Sequence, residues 1–191
     1  MATIFSSLFN SDGSVEPGIG TITEELGLDT QRRASAGHSH ARVRRTHAKV
    51  SLGTVAGIGD EVRMLTLKSS DILYSLQLST DGAGSAGEAD LGWYKTGAAH
   101  DGAIPSTNSV DAFSTTALVL DTAATRTEEF QAGDYDDENV GLRVWELINI
   151  SDAATYTSDP GGTFHITFTM TEAVAGTVTI VQLEAFYTAG D

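Results

Sequence analysis

The stretch Phe164-His165-Ile166-Thr167-Phe168-Thr169-Met170-Thr171 decides the fold class. Apolar and polar residues alternate strictly through it, so the four apolar side chains point one way and His165 and the threonines point the other way. A period of two is typical of a β-strand with one buried and one solvated face. The segment 72–79 repeats this pattern and predicts an inner face made by its even-numbered residues, from Ile72 to Leu78.

Further runs of strand character extend this pattern along most of the chain. They predict strands at 41–52, 61–68, 89–95 and 115–121. A last strand is predicted at 177–188, where Val178 and Ile180 and then Leu183 would point inward, so the phase change at Val181-Gln182 predicts a bulge. Turns rich in glycine and aspartate separate the runs.

We therefore expect an all-β fold, an antiparallel β-sandwich or jelly roll. One short helix is expected near 137–149, where leading acids suit a helix N-terminus and Val144, Leu147 and Ile148 follow at helical spacing.

Length and charge suggest one domain with a leading arm. The 191 residues suffice for one domain, and the net charge is -15. Residues 50–191 hold 21 acids and 5 bases, which disfavours binding of this body to nucleic acid or to an anionic membrane. Residues 1–40 contain many turn residues and little periodicity, so we interpret them as an extended arm and 41–191 as the β-sandwich domain.

The candidate interaction residues lie in a basic stretch that runs from the end of this arm into the first predicted strand. Interleaved aromatic residues for base stacking are lacking, so these side chains favour an acidic protein surface, either of the same body or of a second copy, over nucleic acid. The candidate partner-binding residues are Arg32, Arg33, His38, His40, Arg42, Arg44 and Arg45. The histidines could ligate a metal, but the arginines around them repel cations.

Signals for catalysis and for cofactors are weak. The sequence contains no cysteine, and no serine with a marked base, so we assign no catalytic, cofactor or metal residue. The glycines of Gly82-Ala83-Gly84-Ser85-Ala86-Gly87 fit a dinucleotide motif, but a strand rather than a helix should follow, which favours a hairpin loop. The acids between Asp134 and Glu138 favour helix capping over a calcium site, because they lack EF-hand spacing.

Several segments together resemble a family of virion structural proteins of tailed bacteriophages. They are Gly37-His38-Ser39-His40-Ala41-Arg42-Val43-Arg44, Arg63-Met64-Leu65-Thr66-Leu67-Lys68-Ser69-Ser70-Asp71, Ala89-Asp90-Leu91-Gly92-Trp93-Tyr94-Lys95-Thr96-Gly97, Asp137-Glu138 with Trp145-Glu146-Leu147, and the ending Ala185-Phe186-Tyr187-Thr188-Ala189-Gly190. The likeness spans roughly residues 37–191. It implies a β-rich protein without enzymatic activity, present in many copies on the particle.

Within that family, the resemblance implies a capsid decoration or cement protein that bridges neighbouring capsid subunits. Its partners would be the major capsid protein and copies of itself, as a trimer, with no nucleic acid, membrane or cofactor. It would be made in the host cytoplasm and would lie on the capsid surface of the virion. One alternative is a neck or tail component of the virion. Another is a carbohydrate-binding β-sandwich module, for which Trp93 or Tyr94 would form an aromatic platform.

Overall fold

The computed structural model describes residues 43–52, 56–96, 109–151, 156–176 and 179–190. The strands are β1 (Val43–Leu52), β2 (Glu61–Lys68), β3 (Ile72–Thr80), β4 (Gly84–Lys95), β5 (Leu118–Val119), β6 (Ala124–Glu128), β7 (Thr163–Gly176) and β8 (Thr179–Thr188). Between β6 and β7 lie a 3-10 turn (Asp137–Asn139) and the helix α1 (Val144–Ser151).

The strands form two four-stranded sheets that pack as a β-sandwich. Sheet A has the order β1-β8-β3-β6, and sheet B has the order β2-β7-β4-β5. The registered pairs of both sheets are antiparallel. This arrangement confirms the expected all-β sandwich.

Strand β7 shows why the alternating pattern determined the fold. Phe164, Ile166, Phe168 and Met170 are each at most 3% exposed and belong to the core, whereas His165 and Thr169 face away from it. Burying one such side chain contributes roughly 1.5–3 kcal/mol, so the inner face of β7 cannot turn outward. The alternation at 164–171 is therefore confirmed, within a longer strand, but Thr167 on the outer face is fully buried and not solvated as predicted.

The predicted phases of β3 and β8 were each correct in part: Leu76, Leu78 and Leu183 are buried as predicted, whereas Ile72 and Ile180 are only half-buried. Register shifts between Leu73 and Ser75, so the irregularity lies in β3 and turns Leu73 rather than Ile72 into the core. In β8 the register runs without a shift from Val181 to Phe186, and Val181 is fully buried. A bulge depends on the partner strand, which one strand's own pattern does not reveal.

The glycine-rich segment does not form the expected hairpin loop. Strand β3 belongs to sheet A and β4 to sheet B, so the connection passes from one sheet to the other, and β4 already begins at Gly84. Gly82 has φ +62, and a Cβ there would lie 2.2 Å from the backbone nitrogen of Ala123. Glycine is required at this crossing by close backbone approach, not by phosphate binding.

The helical region is divided in two. Asp136 caps the 3-10 turn, with its carboxylate accepting from the backbone nitrogen of Glu138 at 3.0 Å. Gly141, at φ +92, separates this turn from α1, which begins at Val144. The acids therefore cap the turn rather than the α-helix, and the expected helix at 137–149 starts later and ends later.

An aromatic cluster closes the sandwich beside β4. Phe113 lies 5.1 Å from Trp93 and 5.2 Å from Tyr135 between ring centres, and Phe130 stacks on Tyr135 at 5.4 Å. The indole nitrogen of Trp93 donates to the Tyr135 hydroxyl at 2.8 Å. Aromatic pairs of this kind contribute about 0.5–1.5 kcal/mol beyond their buried area, so the cluster fixes the segments that follow β4.

Candidate interaction surface on sheet A

The first strand carries the described part of the basic stretch. Arg44 and Arg45 lie at the start of β1, and both are exposed. Five of the seven candidate residues lie outside the described residues: Arg32, Arg33, His38, His40 and Arg42. The partner-binding role of the seven therefore stays a prediction.

Arg45 makes a two-pronged contact with Glu184 on the neighbouring strand β8. Its Nη2 donates to Glu184 Oε1 at 2.5 Å, and its Nε donates to Oε2 at 3.1 Å. The Glu184 side chain is 4% exposed and the Arg45 side chain 48% exposed. Such a fork holds the guanidinium in one plane with the carboxylate, which makes it more specific than a point-charge contact.

The electrostatics of Glu184 follow from this contact. The hydrogen bond from Arg45 lowers the pKa of Glu184, against the opposing effect of its burial, and the amide of Gln182 also donates to Oε1. A buried carboxylate without such donors would be strongly disfavoured. At least one arginine of the basic stretch therefore serves its own body. Glu184 could not be identified from the sequence as this partner, since it lies near Arg45 only because β1 is the neighbour of β8.

A row of polar side chains continues from this pair across sheet A. Gln77 on β3 lies directly opposite Glu184 on one side and Glu128 on β6 on the other. Glu128 Oε1 accepts from the backbone nitrogen of Leu76 at 2.8 Å, and its Oε2 accepts from the Ser75 hydroxyl. The outer face of sheet A thus carries a row of polar side chains that runs from Arg45 on β1 to Glu128 on β6.

A second glutamate beside this surface is buried. Glu129 is 3% exposed, and its backbone nitrogen donates to the Leu76 carbonyl at 2.7 Å. Burial, reinforced by the charge of Glu128, raises the pKa of Glu129 to about 7. Unlike Glu184, Glu129 has no ion-pair partner within the described part of the chain.

The acids considered as an alternative calcium site do not form a group of metal ligands in the described part of the chain. Asp136 caps the 3-10 turn, and Asp137 accepts from the side chain of Gln131. Burial and the nearby Asp111 raise the pKa of Asp134. Among the described residues, no group of three or more acids or histidines is arranged to hold a metal ion.

The aromatic platform expected for a carbohydrate-binding module is contradicted. Trp93 is fully buried in the aromatic cluster, and Tyr94 is 3% exposed, with its hydroxyl 2.6 Å from Thr169 Oγ1. Sugar rings stack on exposed aromatic faces, so neither side chain is available for that contact. Tyr94 lies on the outer face of sheet B but is nevertheless covered, which strand alternation alone did not predict.

No helix in the described ranges is long and apolar enough to cross a membrane. No protein-family model matches the chain, and no curated protein matches it. Sequence similarity therefore identifies no relative from which a function could be transferred.

Solved structures do show similarity. A chain from the capsid of Ralstonia phage GP4 aligns with a TM-score of 0.52 at 12% identity, over 78% of this chain and 86% of that chain. A chain from the capsid asymmetric unit of cyanophage Pam1 aligns over 82% of this chain and 92% of its own, at 16% identity, but its TM-score of 0.39 carries no argument. The protein is thus a β-sandwich whose fold is shared with a phage capsid component.

Proposed function

We propose that this chain is a non-enzymatic structural protein of a phage virion, a capsid decoration or cement protein that bridges neighbouring capsid subunits. The observation that carries the proposal is the fold similarity to a chain of the Ralstonia phage GP4 capsid over most of both chains. The resemblance of the segments in 37–191 to virion structural proteins supports it independently. The partners are then the major capsid protein and further copies of this chain, as a trimer.

The physical properties of the sandwich suit that role. A rigid body with a closed core can be added to a shell as a unit, and residues 1–40 act as an arm that gains order where it finds contacts. A single stable interface buries about 1,200–2,000 Å² in total, and repetition around a shell multiplies a modest affinity per copy. The arm and the basic stretch hold neighbours, while the acidic body keeps the particle soluble.

Deletion of residues 1–42 tests this role, because it removes the arm and leaves β1 complete. We expect the truncated chain to retain the unfolding midpoint of the sandwich and to lose binding to shells that lack the protein, measured by co-sedimentation. A matched control carries Glu138→Gln and Glu172→Gln on exposed positions of the body and should bind as the wild type does. Full binding by a folded truncated chain would refute the proposed role of the arm.

A neck or tail position within the virion is the second candidate. Both roles use the same fold, so the copy number per particle separates them. The symmetry of each structure sets that number: on the order of hundreds of copies for a decoration protein, and roughly tens or fewer for a neck or tail component. Quantitative staining of purified particles measures it. A count of tens or fewer would replace the decoration role with the neck or tail role.

A further inference from the structure

The outer edge of β1 is a long, regular strand edge. Strand β1 stands at the end of sheet A, and in the described part of the chain β8 is its one strand neighbour. Its ten residues contain no proline and no glycine, and Ala48 and Val50 pack against the core from its inner side. Such an edge presents unpaired N–H and C=O groups that can accept another strand.

The other described edges are protected by comparison. Strand β5 has two residues, and β6 has five and is distorted at Arg126, which has φ 53. Strand β2 is interrupted by a register shift between Arg63 and Leu65. Short, bent or bulged edges resist pairing with other chains, so β1 is the edge best suited to accept a strand.

Charge selects the kind of strand that β1 can accept. Residues 43–52 hold three cations, Arg44, Arg45 and Lys49, and no acid, and Glu184 already neutralises Arg45. Pairing of β1 with another β1 would place like charges opposite each other, which is unfavourable. An acidic extended segment fits this edge.

The chain itself contains an acidic segment. Residues 1–31 hold five acids and no base: Asp12, Glu16, Glu24, Glu25 and Asp29. The link from there to β1 carries Arg32, Arg33 and Arg42. This division of charge makes the acidic segment complementary to β1, and the neighbouring copies that the proposed function supplies offer the same edge.

We propose that residues 12–29 of one copy bind along the free edge of β1 of a neighbouring copy. Each copy then gives one segment and accepts one, and such head-to-tail contacts close into a ring if the rotation permits. Main-chain hydrogen bonds would supply affinity, and the opposite charges would select the segment. The inference rests on the proposed function for the presence of neighbouring copies.

Cross-linking of full-length chains tests the exchange. Because the protein contains no cysteine, Ser51→Cys marks β1 in one preparation and Thr23→Cys marks the segment in another. We expect a short bis-maleimide cross-linker to join the two in a mixture, as a product of twice the chain mass. No cross-linked product in the mixture, or a cross-link that forms only within single chains when both cysteines are placed in one chain, would overturn the exchange.

A charge variant gives an independent measurement. Glu24→Gln with Glu25→Gln should weaken self-association about three- to tenfold in sedimentation, because an exposed charge pair contributes little individually. The matched control, Glu138→Gln with Glu172→Gln, removes the same charge from the body and should leave association unchanged. Equal effects of the two variants would overturn the proposal. These assays use the isolated protein, so they can fail while binding to the capsid persists.

Discussion

Replacement of Glu129 by glutamine should stabilise the protein, and the gain should grow with pH. Glu129 is 3% exposed, and burial together with the charge of Glu128 raises its pKa from 4.5 to about 7. At a pH between these two pKa values, the Glu129 carboxyl keeps its proton in the folded chain but has released it in the unfolded chain. Stability therefore falls as pH rises through this window, and at pH 8 the ionised carboxylate costs about 3 kcal/mol.

The size of the effect at each pH follows from the same two pKa values. At pH 5.5 the unfolded carboxyl is mostly ionised and the folded one mostly protonated, which costs about 1 kcal/mol. Glu129→Gln removes the ionisation, so its stabilising effect should increase by about 2 kcal/mol between pH 5.5 and pH 8. Glutamine keeps nearly the same volume, which limits changes in packing.

Urea unfolding followed by tryptophan fluorescence at both pH values measures this difference. The exposed Glu138→Gln controls for the loss of one negative charge and should show the same small effect at both pH values. A stability change for Glu129→Gln that is equal at pH 5.5 and pH 8 would refute the assignment of a raised pKa to this carboxyl.

Three further substitutions test separate parts of the structure by the same unfolding assay. Gly92→Ala would place a Cβ 2.0 Å from the backbone carbonyl oxygen of Ser109 and should cost about 1–3 kcal/mol; unchanged stability would contradict this close approach of the two backbones. Arg45→Met leaves Glu184 buried without its main donor and should cost about 1–3 kcal/mol near pH 7, with a smaller cost as pH falls below 4.5; a cost independent of pH would contradict the pair. Tyr135→Phe leaves the Trp93 indole nitrogen without its acceptor and should cost about 1–3 kcal/mol; an unchanged stability would contradict a contribution from this hydrogen bond.

The sequence predicted those strands whose own residues carry the signal. Strand β2 was predicted with its observed bounds, and β7 was found by strict alternation, since one buried face imposes a period of two on the sequence. Strand β6 was missed because Ala124-Thr125-Arg126-Thr127-Glu128 is almost fully exposed and lacks an apolar period. Of the strand predicted at 115–121, only the two residues of β5 are in strand conformation. The segment just before it is bonded to β4, where the backbone nitrogen of Phe113 donates to the carbonyl of Leu91.

The candidate surface was less predictable, because it depends on which strands are neighbours. The basic stretch is visible in the sequence, but the partner of Arg45 is 139 positions away and becomes adjacent only when β1 pairs with β8. The same holds for Gln77, which lies between Glu184 and Glu128 across sheet A. Residue types can be recognised locally, whereas a site built across strands is determined by sheet order and register.

The distribution of charge also constrains how copies of this protein can associate. Residues 50–191 carry a net charge of -16, so whole bodies repel one another, while the basic strand β1 attracts acidic segments at contact distance. Screening acts on the two effects differently, because the Debye length is about 8 Å at 0.15 M salt. Repulsion between bodies tens of ångströms apart is largely removed at that salt concentration, whereas contacts of a few ångströms persist. Self-association should therefore be weak at very low salt, strongest near physiological salt, and weaker again where salt screens the contact itself.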